Sequence, residues 1–267
     1  MCRRCCGKYR WAEGNYERFP SLIAELLALK VDVIVTTGTP AALAVKKATT
    51  SVPLVMVAVG DPVGTGLVPS LRRPGGNATG LTSIAPELEG KRLELLREVS
   101  PRISRIAVLW NPANAYQIAS EKEVQAAAKV LRISVISLPV SSLEQLRDAF
   151  AAIPGERAEA VIILADRIFL HNRQRIAEFT TRNRLPGMNA YRELVEAGGL
   201  MSYGPSYAAM HRQAATYVDK ILKGAKAGDL PIEQPAKFEF VVNLTAAKAI
   251  GLAIPQSLLL RADEVIQ

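Results

Sequence analysis

The sequence predicts an α/β protein in which two mostly parallel sheets are each flanked by helices. Short aliphatic runs, of which residues 54–59 (LVMVAV) are the clearest, have the length and composition of strands buried on both faces. Stretches with a helical period separate these runs, and that alternation requires parallel pairing with right-handed crossovers. Polar breaks rich in glycine and proline interrupt the rhythm, which favours two sheets over one.

Each element follows from a local pattern. The first helix is predicted because apolar residues share one face at the i, i+3, i+4 spacing, namely Phe19, Leu22, Ile23, Leu26 and Leu27. The predicted strands are residues 31–36, 54–59, 78–81, 106–109, 135–138 and 160–164, with weaker ones at 185–190 and 200–203. Further helices are predicted over 86–99 and around Met210, Ala214, Tyr217 and Ile221.

Three breaks, at residues 69–82, 203–206 and 226–235, suggest that the chain crosses three times between two lobes. We expect the first lobe to comprise residues 1–82 and 205–232. The second lobe would then comprise residues 83–204 and 233–267. A ligand cleft is expected between them.

Composition and charge exclude several classes of protein. The 267 residues are 49% hydrophobic and 22% charged, which excludes disorder, and no apolar run is long enough to span a bilayer. The net charge of +8 is dispersed along helices, as around Glu89, Lys91, Arg92 and Glu94. This mixture indicates a solvated helix face, so nucleic acid is not an expected partner.

The three cysteines, Cys2, Cys5 and Cys6, lie at the start of the chain, so the body has no disulfide framework. The Cys2–Cys5 spacing could bind zinc only with a second pair of ligands, and His171 and His211 lie far downstream. We therefore expect neither a metal nor a cofactor. No apolar signal-peptide core follows Arg3 and Arg4, which predicts a cytoplasmic location if the chain is expressed as written.

Candidate ligand-binding residues follow the carboxyl ends of the predicted strands, where ligands bind in parallel α/β sheets. In the first lobe these residues are Thr37, Thr39 and Asp61. Pro40 suits the first helical position, which predicts Thr39 as the N-cap of a helix that could hold an anion. The alternative is that Thr39 only caps its helix.

The second lobe repeats this pattern at the ends of successive strands, with Asn111, Asn114, Asp166, Asn189 and Tyr191. Asp and Asn also initiate turns for backbone reasons, but their recurrence at one end of a sheet favours a site. Carboxylates, amides and rings that converge on a cleft predict a small polar ligand with an ammonium group and an anionic group.

Nothing in the sequence supports catalysis. The chain contains no G-x-S-x-G, H-E-x-x-H or complete phosphate-binding glycine motif. His171 and His211 lie beside arginines in helical stretches, where a solvated face explains both of them. We therefore expect a protein that is not an enzyme.

Four segments, residues 36–82, 87–114, 191–206 and 237–266, closely resemble the ABC-transporter substrate-binding protein family typified by tryptophan- and tyrosine-binding lipoproteins. The resemblance implies a type I periplasmic-binding fold, two lobes joined by a three-stranded hinge, and an amino-acid-like ligand. It also implies an ABC permease as partner and an extracytoplasmic location. By motif position, Thr37, Thr39 and Asp61 face the five second-lobe residues across the cleft.

The chain departs from the family at its start, where the resemblance implies one more strand and helix in the first lobe. Without that strand we expect unpaired backbone groups between neighbours in the first sheet. Either the sheet closes up in a new order, another chain fills the gap, or the chain is a truncated gene product, which is the interpretation that we favour. A second hypothesis also remains, in which the same fold acts as a cytosolic effector-sensing regulatory domain. Phe169, Tyr191 and Tyr203 hint at an aromatic ligand, although packing between lobes is the alternative explanation.

Overall fold

The computed structural model describes residues 7–267 and contains two sheets. In this part of the chain the strands are β1 (Ile34–Thr37), β2 (Leu54–Val59), β3 (Ala78–Thr82), β4 (Arg105–Trp110), β5 (Ser134–Pro139), β6 (Ala160–Ile163), β7 (Gly187–Asn189), β8 (Met201–Pro205), β9 (Phe238–Asn243) and β10 (Glu264–Ile266). The strands expected from the sequence are present, with ends that differ by a few residues. The sequence analysis did not anticipate β9 and β10.

Helices connect most of these strands. They are α1 (Phe19–Ala28), α2 (Thr39–Ala48), α3 (Glu89–Val99), α4 (Gln117–Leu131), α5 (Leu143–Gly155), α6 (Arg167–His171), α7 (Arg173–Arg182), α8 (Arg192–Glu196), α9 (Tyr207–Leu222), α10 (Leu244–Ala249) and α11 (Gln256–Leu259). Single 3-10 turns occupy Tyr16–Arg18, Pro86–Leu88 and Ala227–Asp229.

The first sheet has the order β1-β2-β3 and the second has the order β10-β9-β8-β7-β6-β4-β5. Every neighbouring pair is parallel except β8 with β9. This arrangement confirms the predicted α/β class with mostly parallel sheets. The carboxyl ends of the parallel strands therefore lie along one edge of each sheet, where a ligand site is expected.

Aliphatic strands form because both of their faces are covered. All of β2 is buried, with Val55 and Val57 in one core and Leu54 and Met56 in another. The core that contains Val55 continues into the second sheet through side chains such as Leu109 and Tyr191. The two sheets are thus joined by packed apolar side chains.

The chain passes between the sheets in three places. It leaves the first sheet after β3 and enters α3, which packs against β7 and β6 of the second sheet. After β8 it returns as α9, which packs against β2 and β3. It then pairs Glu233 with Leu81 in a parallel bridge before it enters β9.

The gap that we expected inside the first sheet is not found in the described residues. β1 pairs directly with β2, and β2 pairs with β3, so no strand position between them is empty. β1 forms an outer edge instead, where Val35 is 48% exposed. The three described strands therefore pair without a gap, and a further strand beside the β1 edge stays a prediction.

The solvated face predicted for the third helix also needs correction. Lys91 and Glu94 do lie near the surface, but Glu89 and Arg92 are 0% and 1% exposed. These two side chains form an ion pair of 2.7 Å, and the Nε of Arg92 donates to the carbonyl of Tyr203. Burial, partly offset by Arg92, raises the pKa of Glu89. Charged residues spaced along a helix do not reveal which face is covered.

Two further expectations concern metals and membranes. Within residues 7–267, no cluster of three or more His, Cys, Asp or Glu side chains is placed to hold a metal ion. Cys2, Cys5 and Cys6 lie outside the described residues. Among the described helices, none combines the length and the hydropathy that a transmembrane span requires.

We predict that Gly80→Ala destabilises the protein by at least about 3 kcal/mol. Gly80 has a φ of +133°, and a Cβ there would lie 2.0 Å from the carbonyl oxygen of Met56 on β2. Urea unfolding measures the loss. Gly90→Ala is the matched control, because a Cβ at Gly90 meets nothing closer than 4.0 Å and should be neutral or stabilising. Equal stability of the two variants would contradict the close approach of β3 to β2.

Candidate functional site

Asp166 is the centre of a buried polar cluster at the carboxyl end of β6. Its backbone is extended, so its side chain accepts from the N–H of Ile168 at 3.0 Å and caps α6. The same carboxylate accepts from the amides of Asn111 at 3.1 Å and Asn114 at 2.7 Å. Asp166 is only 1% exposed, so these donors replace the water that an ionised carboxylate would otherwise need.

The loop after β4 is held in place by Gln117, the first residue of α4. Its side-chain oxygen accepts from the N–H of Asn111 at 2.5 Å, and its amide nitrogen donates to the carbonyl of Ala165 at 2.8 Å. This arrangement ties the Asn111 loop to the residue before Asp166. The side-chain oxygen of Asn114 is buried and has no hydrogen-bond partner among the described residues. It is therefore an acceptor available to a donor that enters the cluster.

Tyr16 supplies the last donor, from a segment that precedes the first helix. Its hydroxyl lies 2.8 Å and 2.7 Å from the two oxygens of Asp166, a contact between residues 150 positions apart. The ring stacks on Phe19 at the start of α1. Burial, followed by the nearby charge of Asp166, raises the pKa of Tyr16 far above its usual range, so the hydroxyl remains a donor.

Tyr116 joins the two sheets at the same place. Its hydroxyl donates to the carbonyl of Ala165, and its ring lies against Gly60 at the end of β2. A Cβ on Gly60 would lie 2.4 Å from the ring, so only glycine permits this approach. Just before Gly60, Ala58 has a φ of +56° where the β2–β3 register shifts. The bulge redirects the strand end towards Tyr116.

None of the hydrogen bonds found for the three first-lobe residues predicted from the sequence joins the Asp166 cluster. Thr37 places its hydroxyl 3.0 Å from Nε2 of His211 on α9, and Asp61 accepts from Gly64 at 2.8 Å within its own turn. Thr39 is fully buried, and its hydroxyl accepts from the N–H of Gly60 at 3.0 Å.

The predicted N-cap of α2 was wrong by one residue. Gly38 is the N-cap, with a φ of +84°, whereas Thr39 is the first residue of the helix and Pro40 the second. The reason is that the hydroxyl of Thr39 is used by Gly60 and makes no cap bond with its own helix. Thr39 therefore fixes the end of β2 against the start of α2.

Asn189 and Tyr191 diverge at the end of β7. The amide of Asn189 donates to the carbonyl of Met201 at 2.9 Å, which ties β7 to β8. Tyr191 instead packs against Tyr207 of α9, with ring centroids 4.7 Å apart. The guanidinium carbon of Arg167 lies 5.5 Å from each ring centroid. Of the two predicted residues, only Tyr191 is thus joined to the neighbours of Asp166.

Comparison with known proteins decides the family. The family model described as ABC transporter substrate binding protein matches residues 4–266. The chain belongs to this family. Its members bind substrates and are not enzymes, in agreement with the absence of catalytic motifs.

Several relatives of this ABC transporter substrate-binding protein are known. A Tyrosine-binding protein of Clostridioides difficile (strain R20291) is 26% identical over 241 residues, which are 90% of this chain and 69% of that protein. A crystal structure of a conserved domain protein from Vibrio cholerae shares 29% identity with a TM-score of 0.90, over 97% of this chain and 86% of that one.

A third relative carries a ligand. The ABC domain from Streptococcus pneumonia, solved in complex with L-Trp, is 26% identical with a TM-score of 0.88, over 95% of this chain and 87% of that one. Together with the two parallel-dominated sheets, these neighbours confirm the type I periplasmic-binding fold expected from the sequence.

The structure of this substrate-binding protein brings together Asn111, Asn114 and Asp166, as the strand-end rule suggested. Four further residues of the cluster were not predicted from the sequence, namely Tyr16, Tyr116, Arg167 and Tyr207. Arg167 directly follows Asp166 at the strand end, so its position was a usable signal. Tyr16 lies before the first helix, and no local pattern points to it. Phe169 is completely buried in the core, as the packing alternative required.

We predict that Tyr16→Phe lowers the free energy of unfolding by about 1.5–3 kcal/mol, because a hydrogen bond to a buried carboxylate is lost. Since the folded pKa of Tyr16 is raised, its contribution is complete below about pH 10 and declines at higher pH. Urea unfolding of both proteins should therefore show a difference that narrows between about pH 10 and pH 11.

Tyr9→Phe provides the control for this experiment. Tyr9 is 73% exposed, so removal of its hydroxyl should leave the unfolding free energy nearly unchanged. If Tyr16→Phe and Tyr9→Phe behaved alike at neutral pH, the bond from Tyr16 to Asp166 would not exist in solution.

Proposed function

We propose that this protein is the solute-binding component of an ABC importer and binds a small amino-acid-like ligand between two lobes. Residues 1–82 and 205–232 would form the first lobe, and residues 83–204 and 233–267 the second. The three passages of the chain between the sheets support this division. The names of two relatives, a Tyrosine-binding protein and a domain in complex with L-Trp, support an aromatic amino acid as ligand.

The observation that carries the proposal is the buried carboxylate of Asp166 at the junction of the two sheets. A carboxylate in such a place is a receptor for an ammonium group, because the attraction is strong where water is excluded. The unpartnered oxygen of Asn114, whose amide already contacts Asp166, offers the ammonium a second acceptor. Asn111 would hold the carboxylate in position.

The hydroxyl of Tyr16 takes the place that the ammonium would need. It contacts both oxygens of Asp166, whereas each amide contacts only one. We infer that the ligand displaces this hydroxyl, so that ligand-free protein keeps its buried carboxylate satisfied. Tyr16→Phe should then bind the ligand more tightly, by about tenfold, since one competing bond is gone.

The first-lobe side of the site remains a proposal built on Thr37, Thr39 and Asp61. All three surround the end of β2, where Gly60 meets Tyr116 of the second lobe. Ligand contacts that are complete only in the closed arrangement would shift the population towards it. Asn189 would support the site indirectly, because its bond to the carbonyl of Met201 holds β7 against β8.

The partner and the location follow from the family. Substrate-binding proteins deliver small ligands to ABC transporters, and we propose an ABC permease in the membrane as the partner of the closed form. We also propose an extracytoplasmic location, because the family members that this chain resembles work there.

We predict that Asp166→Asn lowers the affinity for an amino-acid ligand by about 10- to 150-fold, since the charge that pairs with the ammonium is removed. Calorimetry with a panel of amino acids that includes tryptophan and tyrosine measures the change. Asp61→Asn in the same assay examines the other predicted carboxylate. If wild-type protein with a cooperative unfolding transition bound no member of the panel, the amino-acid assignment would be wrong.

We predict that Gly60→Ala weakens ligand binding by at least about tenfold by holding the lobes apart. The added Cβ would overlap the ring of Tyr116, a contact that we assign to the closed arrangement of the lobes. Small-angle scattering should show a larger radius of gyration that the ligand no longer reduces. Gly155→Ala, where a Cβ meets no atom within 4 Å, should bind and close like wild type. If the ligand reduced the radius of gyration of Gly60→Ala as much as that of wild type, this role for Gly60 would be wrong.

A further inference from the structure

Arg167 is a partly buried cation whose role the proposed function leaves open. It is the first residue of α6, directly after Asp166, and its guanidinium lies over the rings of Tyr191 and Tyr207. These rings are 4% and 8% exposed. They come from different parts of the fold, because Tyr191 follows β7 of the second sheet and Tyr207 begins α9, which packs on the first. The cation therefore sits where the sheets meet.

The N–H groups of Arg167 have no partner within residues 7–267. No hydrogen bond or ion pair of this side chain is formed there, although a guanidinium carries five donors in one plane. The tyrosine rings attract the face of the guanidinium but leave its N–H edge unsatisfied. A partly buried arginine in this state presents its N–H edge to an acceptor that enters the site, and a planar carboxylate matches its fork.

The charged neighbours of Arg167 do not supply that acceptor. Asp166 directs its oxygens to Tyr16, Asn111, Asn114 and its own helix. Glu193 on α8 is the other nearby carboxylate, yet its buried Oε2 has no hydrogen-bond partner and no ion pair joins it to Arg167. Both tyrosines are neutral at physiological pH, because burial raises the pKa of each hydroxyl.

We propose that Arg167 receives the carboxylate of the ligand through its N–H edge, while Tyr191 and Tyr207 hold its face. This proposal rests on the proposed function and specifies its ligand. Asp166 and Arg167 are consecutive residues with opposite charges at the junction of the two sheets. A ligand that pairs with both carries an ammonium and a carboxylate, and a free α-amino acid has these two groups on one carbon, whereas an amine, an acid or an internal peptide residue lacks at least one of them.

The test compares variants against ligands that lack one charge. Wild type, Arg167→Met and Asp166→Asn are titrated by calorimetry with L-tryptophan, tryptamine and indole-3-propionate, and with the matching tyrosine series. We expect Arg167→Met to lower the affinity for the amino acid by about 10- to 150-fold and to leave the affinity for the amine unchanged. Asp166→Asn should show the opposite selectivity, with the acid unchanged.

Controls separate this role from a structural one. Arg175→Met removes an exposed arginine of α7 and should bind like wild type. In the absence of ligand, Arg167→Met should unfold at an unchanged or higher urea concentration, because a partly buried cation without a protein acceptor is replaced by an apolar chain. Arg167→Lys keeps the charge without the fork and should recover only part of the affinity.

Each outcome decides a different question. The proposal is overturned if Arg167→Met loses affinity for the amino acid and the amine alike. It is also overturned if Arg167→Met clearly loses stability and Glu193→Gln reproduces that loss, because Arg167 would then be a structural partner of Glu193. Binding by wild type with no dependence on Arg167 overturns it while the proposed function stands. Binding of no amino acid by folded wild type removes the proposed function and this inference with it.

Discussion

The buried carboxylate of Asp166 is the constraint on which the rest of the site depends. A carboxylate removed from water must be surrounded by donors, and the chain meets this need with four groups from three segments. The requirement fixes the loop after β4, the start of α6 and the segment before α1 relative to one another. The loop that carries the two amide donors is held by further bonds, from the N–H of Asn111 to Gln117 and from the N–H of Ala113 to the side-chain oxygen of Asn111, which anchors the cluster on the second-sheet side. In the proposed binding mechanism the donor that moves is Tyr16, whose ring stacks on Phe19.

A second constraint is the close approach of Gly60 to Tyr116. The carboxyl ends of parallel strands border the ligand site. The ring of Tyr116 can lie against the end of β2 only because Gly60 has no side chain. The bulge at Ala58 and the bond from Gly60 to Thr39 position this bare backbone. Tyr116 then links it to the carbonyl next to Asp166. Tyr116 thereby connects the Asp166 cluster with the end of β2 by direct contact.

The sequence revealed the strands well and the site only in part, for physical reasons that differ. Residues 54–59 could be assigned because a strand buried on both faces has a continuous aliphatic run. Asn111, Asn114 and Asp166 were found because strand ends share an edge. Tyr16 could not be found, since its partner lies 150 residues away and no periodicity encodes such a contact. Glu89 and Arg92 were misassigned because an i, i+3 pair of opposite charges has the same sequence pattern on a buried face as on an exposed one.

Asp166 and Arg167 explain why opposite charges that are adjacent in the chain need not neutralise each other. Asp166 has an extended backbone and turns its side chain back to cap the helix, whereas Arg167 is already helical and points towards the tyrosines. The helix start therefore separates the two charges in space. Each charge is compensated by a different element, the anion by amides and a hydroxyl and the cation by aromatic rings. In the proposed site the ligand carboxylate gains a new partner at the N–H edge of Arg167, whereas the ligand ammonium replaces the Tyr16 hydroxyl at Asp166. A zwitterion supplies both groups without adding net charge to the site, which neither a free amine nor a free acid can do.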